Sequence, residues 1–206
     1  MTDITIQNDE ELNAAAAAIG AALGRRSIVL VGMMGVGKSS VGRRLSARLS
    51  IPFVDADAEI EQAAGMSIAD IFAKYGEAYF RSGEARVIAR LLESGPQVLA
   101  AGGGAFINEE TRALIKAKGI SIWLHAELDV LVRRITKRKN ERPLLQDGDP
   151  AETLRRLLAE REPIYAQADL TIESREVAHD AVVAKTITSL AAFLSGTASR
   201  RGAAGA

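Results

Sequence analysis

The residues best equipped for chemistry lie between Gly32 and Ser40, in the run GMMGVGKSS. Gly32, Gly37, Lys38 and Ser39 fit the phosphate-loop spacing, two glycines with four residues between them followed by Lys-Ser. Glycines let the backbone curl until successive N–H groups point at phosphate oxygens. Lys38 supplies a mobile positive charge for β- and γ-phosphates, and Ser39 offers a hydroxyl to Mg²⁺. A helix starting at this point adds its unpaired N–H groups and the positive end of its dipole. Gly35, Val36, Gly37, Lys38, Ser39 and Ser40 are therefore the candidate contacts to a nucleotide triphosphate.

Other candidates are scattered. Asp55 and Asp57 sit two apart at the end of an extended run, where alternate side chains share a face. Asp55 then holds Mg²⁺ through a water and Asp57 meets an acceptor hydroxyl, or else Asp57 only caps the helix that begins at Ala58. Arg81 lies in Phe80-Arg81-Ser82-Gly83-Glu84 within a helical run and is either a ligand contact or an ordinary surface charge. Gly102, Gly103 and Gly104 follow a buried apolar run, where either backbone amides approach a ligand closely or the chain simply turns. Arg142 stands just before Pro143 in a charged stretch that either closes over phosphates or is an ordinary solvated run of charge. Arg161 ends a helical run before Pro163, a position that also suits a helix dipole with no ligand. The third strand ends in Ala and Gly rather than an acidic residue, which leaves Asp55 as the metal candidate and favours a small-molecule kinase over a motor or GTPase. His125 and His179 have no metal-ligand spacing, and Trp123 and the Met33-Met34 pair read as packing.

These residues need a scaffold, and the apolar pattern describes one. Short apolar runs at 27–31, 52–55, 97–101, 120–124 and 169–172 alternate with helical stretches at 41–49, 58–64, 67–75, 78–93, 109–118, 128–137, 152–161 and 177–194. Pro163 is expected to break the helix at 152–161. The alternation implies an α/β three-layer sandwich around a five-stranded, mainly parallel sheet. Residues 1–26 precede the first strand as an N-terminal extension; 12–23 is Ala-rich, with a weak apolar face, and reads as loosely packed or partly disordered. One domain spans 27–194, with a lid at about 137–150, and 195–206 reads as a disordered tail.

Composition narrows the function. The 206 residues carry 26 Lys+Arg and 26 Asp+Glu. A net charge of zero argues against a general nucleic-acid or anionic-membrane binder. The absence of Cys excludes disulfides, thiolate metal sites and a Cys nucleophile. No apolar run approaches the ~20 residues of a membrane span, and the acidic N-terminus resembles no signal peptide, so a cytoplasmic location and a monomer are the expectations.

Taken in order, GMMGVGKSS, Asp55-Ala56-Asp57, FRSGE at 80–84, GGG at 102–104, RPLL at 142–145 and EREPIY at 160–165 resemble the shikimate kinase family, and the likeness runs from about 27 to 194. That resemblance implies a P-loop kinase fold with strand order 2-3-1-4-5 and a lid. It implies ATP and shikimate as substrates, Mg²⁺ as cofactor, and transfer of the γ-phosphoryl group to the 3-hydroxyl of shikimate. Residue by residue, it assigns Lys38 and Arg142 to the phosphates, Ser39 and Asp55 to the metal, and Asp57, Arg81, Gly103 and Arg161 to shikimate. Arg134 falls on the adenine side. A kinase of another small hydroxy acid, such as gluconate, shares most of these features and is the alternative.

Overall fold

A computed structural model describes residues 2–137, 149–174 and 178–203. Five strands form one sheet in the order β2-β3-β1-β4-β5, and every pairing is parallel. The strands are β1 (Ser27–Val31), β2 (Phe53–Asp55), β3 (Val98–Ala100), β4 (Gly119–His125) and β5 (Leu170–Glu173). β1 is central: Val29 registers with Leu99 on one side and Ser121 on the other. All five of its residues are buried, because helices cover both faces, so its sequence is continuously apolar after Ser27 rather than alternating. The Ser27 hydroxyl stays satisfied by donating to the Gly95 carbonyl at 2.9 Å. Fully burying an aliphatic side chain such as Ile28 or Leu30 contributes about 1.5–3 kcal/mol each.

Eight α-helices among the described residues complete the layers: α1 (Thr2–Leu23), α2 (Lys38–Leu49), α3 (Ala56–Ala64), α4 (Ile68–Glu93), α5 (Glu109–Lys118), α6 (Leu128–Lys137), α7 (Pro150–Tyr165) and α8 (His179–Ala203). The two expected helices at 67–75 and 78–93 are one element kinked at Gly76, whose φ of 79° and ψ of 173° interrupt the helical path. Ile60, Ile71 and Phe80 form a small apolar cluster of their own beside the main core. That cluster joins α3 to α4 and so fixes Asp57 and Arg81 relative to each other.

Three expectations are corrected. Residues 2–23 are not a loose extension: Ala16, Ile19 and Leu23 are buried in the main core, and Leu12 packs against it. The spacing 12, 16, 19, 23 is a helical stripe, but a narrow one built partly from alanine, which is why its apolar face reads as weak. Arg48 on α2 reaches Asn13 and Asp9 at 3.2 and 3.4 Å. Pro163 does not end α7, which continues to Tyr165. α8 runs on to Ala203 instead of stopping near 194, since only Gly196 opposes a helix before Gly202. The lid segment 138–148, with Arg142, lies outside the described residues, as does Val177.

Candidate active site

The C-terminal ends of β1, β2 and β3 open on one cleft, lined by Lys38, Ser39, Asp55, Asp57 and Gly103 among others. Parallel α/β sheets place ligands at this end.

The phosphate loop occupies the β1–α2 connection. Gly37 adopts φ 103°, a left-handed conformation that glycine tolerates and other residues rarely do. Lys38 folds along the loop, its Nζ donating to the Gly32 and Met33 carbonyls at 2.7 and 3.1 Å. The loop is braced from behind. The Val36 carbonyl accepts from the buried Ser174 hydroxyl at 2.8 Å and from Arg134 Nη1 at 3.0 Å, and Arg134 also donates to Ser174 Oγ at 3.1 Å. Arg134 thus touches the loop itself.

Ser39 Oγ donates to Asp55 Oδ2 at 2.6 Å. The other oxygen of Asp55 accepts from the Asp57 N–H at 3.2 Å, so Asp55 is the cap of α3 and Asp57 stands in the first turn. The capping alternative for Asp57 therefore falls away. A hydroxyl and a carboxylate at this distance are hard oxygen donors of the kind Mg²⁺ takes, and Mg²⁺ retains water and phosphate ligands rather than needing a full protein cage.

The other wall is assembled around the three glycines. A Cβ on Gly102 would stand 2.3 Å from Glu84 Oε1 and 3.0 Å from Asp57 Oδ1, and one on Gly104 would stand 2.4 Å from Arg81 Cζ. Only glycine leaves room for these carboxylates and this guanidinium to lie against the backbone. Arg161, 8% exposed, donates from Nη1 to the Gly103 carbonyl at 3.3 Å. The Tyr165 hydroxyl, one helical turn further along α7, donates to the same carbonyl. Asp57, Arg81, Gly103 and Arg161 are thereby brought together, beside the phosphate loop.

Arg81 donates to Glu84 Oε2 at 2.7 Å and to Glu77 Oε1 at 3.0 and 3.2 Å. The pair is unevenly matched. Burial works against the Arg81 charge, but Glu84 and Glu77 outweigh it and raise its pKa. Burial also raises the pKa of Glu84, and Asp57 pushes the same way, against the pull of Arg81 and Arg161. Glu84 is the more deeply enclosed, and its Oε1 has no hydrogen-bond partner among the described residues. Burial raises the Tyr165 pKa to about 12 despite Arg161, so its hydroxyl remains a donor at any working pH. Glu84 and Tyr165 were not singled out from sequence. Their signal was spacing: Glu84 is i+3 from Arg81 and Tyr165 is i+4 from Arg161, each on the same helical face.

Residues 34–191 match the family model described as shikimate kinase. The chain belongs to the shikimate kinase family. It is 65% identical over 175 residues to the shikimate kinase of Bradyrhizobium diazoefficiens, covering 85% of this chain and 84% of that one. It is 58% identical over 178 residues to the shikimate kinase of Rhodopseudomonas palustris, covering 86% and 87%. Among solved structures, shikimate kinase from Acinetobacter baumannii in complex with shikimate superposes with a TM-score of 0.76 at 40% identity, covering 79% of this chain and 91% of that one. The likeness thus extends across both walls of the cleft. α1 lies wholly before the segment that matches the family model and yet packs into the core.

Proposed function

We propose that this chain transfers the γ-phosphoryl group of ATP to the 3-hydroxyl of shikimate, yielding shikimate 3-phosphate and ADP. The observation that supports this most is the convergence of Arg81, Arg161 and Asp57 on Gly102–Gly104, next to the phosphate loop. A guanidinium fork binds a carboxylate through paired hydrogen bonds, and Arg81 and Arg161 offer two. Asp57 accepts from hydroxyl groups, and Gly103 supplies backbone contacts.

On the nucleotide side, amides from Gly35 to Ser40 cradle the phosphates, and Lys38 leaves its carbonyl partners for the β- and γ-phosphates. Ser39 directly and Asp55 through water would hold Mg²⁺, which when bound neutralises phosphate charge. Arg142 would close over the phosphates from the lid. Arg134 holds the loop through Val36 and flanks the adenine side. In the transfer, the 3-hydroxyl oxygen bonds to the γ-phosphorus as the bond to the β–γ bridging oxygen breaks. Asp57 orients the hydroxyl and accepts its proton. The transition state is loose, so positioning and charge neutralisation carry most of the catalysis.

No helix among the described residues is long and apolar enough to cross a membrane, and we place the enzyme in the cytoplasm as a monomer that binds no nucleic acid. A coupled ADP-release assay with shikimate and gluconate tests the reaction. Turnover with shikimate and none with gluconate is expected; turnover with gluconate alone would overturn the assignment.

A further inference from the structure

One charged cluster lies outside the chemistry described above. His125 ends β4, with Nδ1 at 2.9 Å from Glu173 Oε1 on β5 and Nε2 at 3.2 Å from Glu162 Oε1 on α7. Each ring nitrogen thus lies within hydrogen-bond distance of a carboxylate oxygen carried by a different element. The ring also meets Trp123 edge-on at 4.8 Å, and Trp123 in turn stacks on Tyr165 at 6.0 Å.

We propose that His125 is a positioning residue, clamped between Glu173 and Glu162, that holds the last turn of α7 and so keeps Arg161 aimed at Gly103. The local backbone gives this clamp a task. Pro163 lies inside α7 and has no N–H to offer the Ala159 carbonyl, so one rung of the helix ladder is missing between Ala159 and Pro163, the stretch that carries Arg161 and Glu162. Side-chain fasteners take over what the ladder omits. Tyr165 ties the turn to Gly103, Trp123 packs on it, and His125 grips Glu162, the residue next to Arg161. The opposite end of the clamp is firm. Ser174, directly after Glu173, donates its N–H to the His125 carbonyl at 2.6 Å and its hydroxyl to Val36 at 2.8 Å.

The groups are partly exposed: the side chains of His125, Glu162 and Glu173 retain 24%, 40% and 35% of their accessible surface. Solvent screening keeps the effect modest. The inference rests on an acidic acceptor being held by Arg161. Steady-state kinetics of His125→Ala, Glu162→Ala and the double variant test it. Each single change is expected to raise KM for shikimate about three- to fivefold, while KM for ATP and kcat move less than about twofold. The double variant is expected to match the singles, because both remove one shared contact. An unchanged KM for shikimate, a parallel rise in both KM values, or additive effects in the double variant would overturn the clamp. If the wild type turns over gluconate instead, the proposed reaction fails. The same comparison is then made with gluconate, where a selective rise in its KM upholds the clamp and no rise overturns it.

Discussion

Every group on the phosphate side from Gly32 to Ser40 sits on one stretch of chain, whereas the acceptor wall draws Asp57 from α3, Arg81 from α4, Gly103 from the loop after β3 and Arg161 from α7. The first wall is mostly backbone: curled amides, with carbonyls that hold Lys38. The second is mostly side chains, held against glycine by contacts that a single Cβ would displace. A contiguous loop is specified by local sequence alone. A wall collected from four elements exists only because the parallel sheet brings its strand ends to one edge. Substitutions on the two sides should therefore fail differently.

The largest effect is expected on the phosphate side. Lys38→Met removes the one side-chain cation of the loop and should lower kcat about 10³-fold with the fold intact, as read by circular dichroism and single-turnover kinetics. Near-normal turnover would show that the loop works through its amides alone. Asp57→Asn keeps the shape of the acceptor wall and removes a proton acceptor. It should cut kcat about 10²-fold and leave ATP affinity nearly unchanged in a nucleotide titration. An active variant would take Asp57 out of the reaction.

Gly104→Ala probes the assembled wall without touching a charge. Its φ of −99° suits any residue, so the new Cβ costs little backbone strain and instead displaces the flexible end of Arg81. KM for shikimate should rise about tenfold, with KM for ATP and the melting temperature nearly constant. A rise in both KM values would mean that the two walls are not separable. The smallest effect concerns Glu84. Its folded pKa lies above the ordinary 4.5, so the native state binds more protons and stability falls as pH rises through that window. Glu84→Gln should abolish this downward slope in urea midpoints measured above pH 4.5. An unchanged slope would mean that Glu84 is not the group responsible.

The same contrast explains what could be read from the chain before folding. The phosphate loop, the order of strands and helices along the chain, and the break between the helical stretches at 67–75 and 78–93 follow from local composition and spacing. Asp57, Arg81 and Arg161 carried no decisive local signal, since each is also an ordinary cap or surface charge, and their meaning came from the order of motifs along the chain. Glu84 and Tyr165 matter through burial against Gly102 and Gly103, and burial is a tertiary property. The packing of α1 is not legible locally because four stripe positions among alanines give little amphipathic contrast, although α8 and α2 supply the surface that covers them. Pro163 is locally a helix stop, yet Tyr165 and its partners hold the helix two residues beyond it.

The central claim is that one cleft grips a nucleotide triphosphate on one wall and a hydroxylated ring acid on the other. A crystal soaked with shikimate addresses it directly. The account predicts the carboxylate between the guanidiniums of Arg81 and Arg161 and a ring hydroxyl on Asp57, facing Lys38. A carboxylate bound elsewhere, with either arginine still paired only to protein groups, would contradict it.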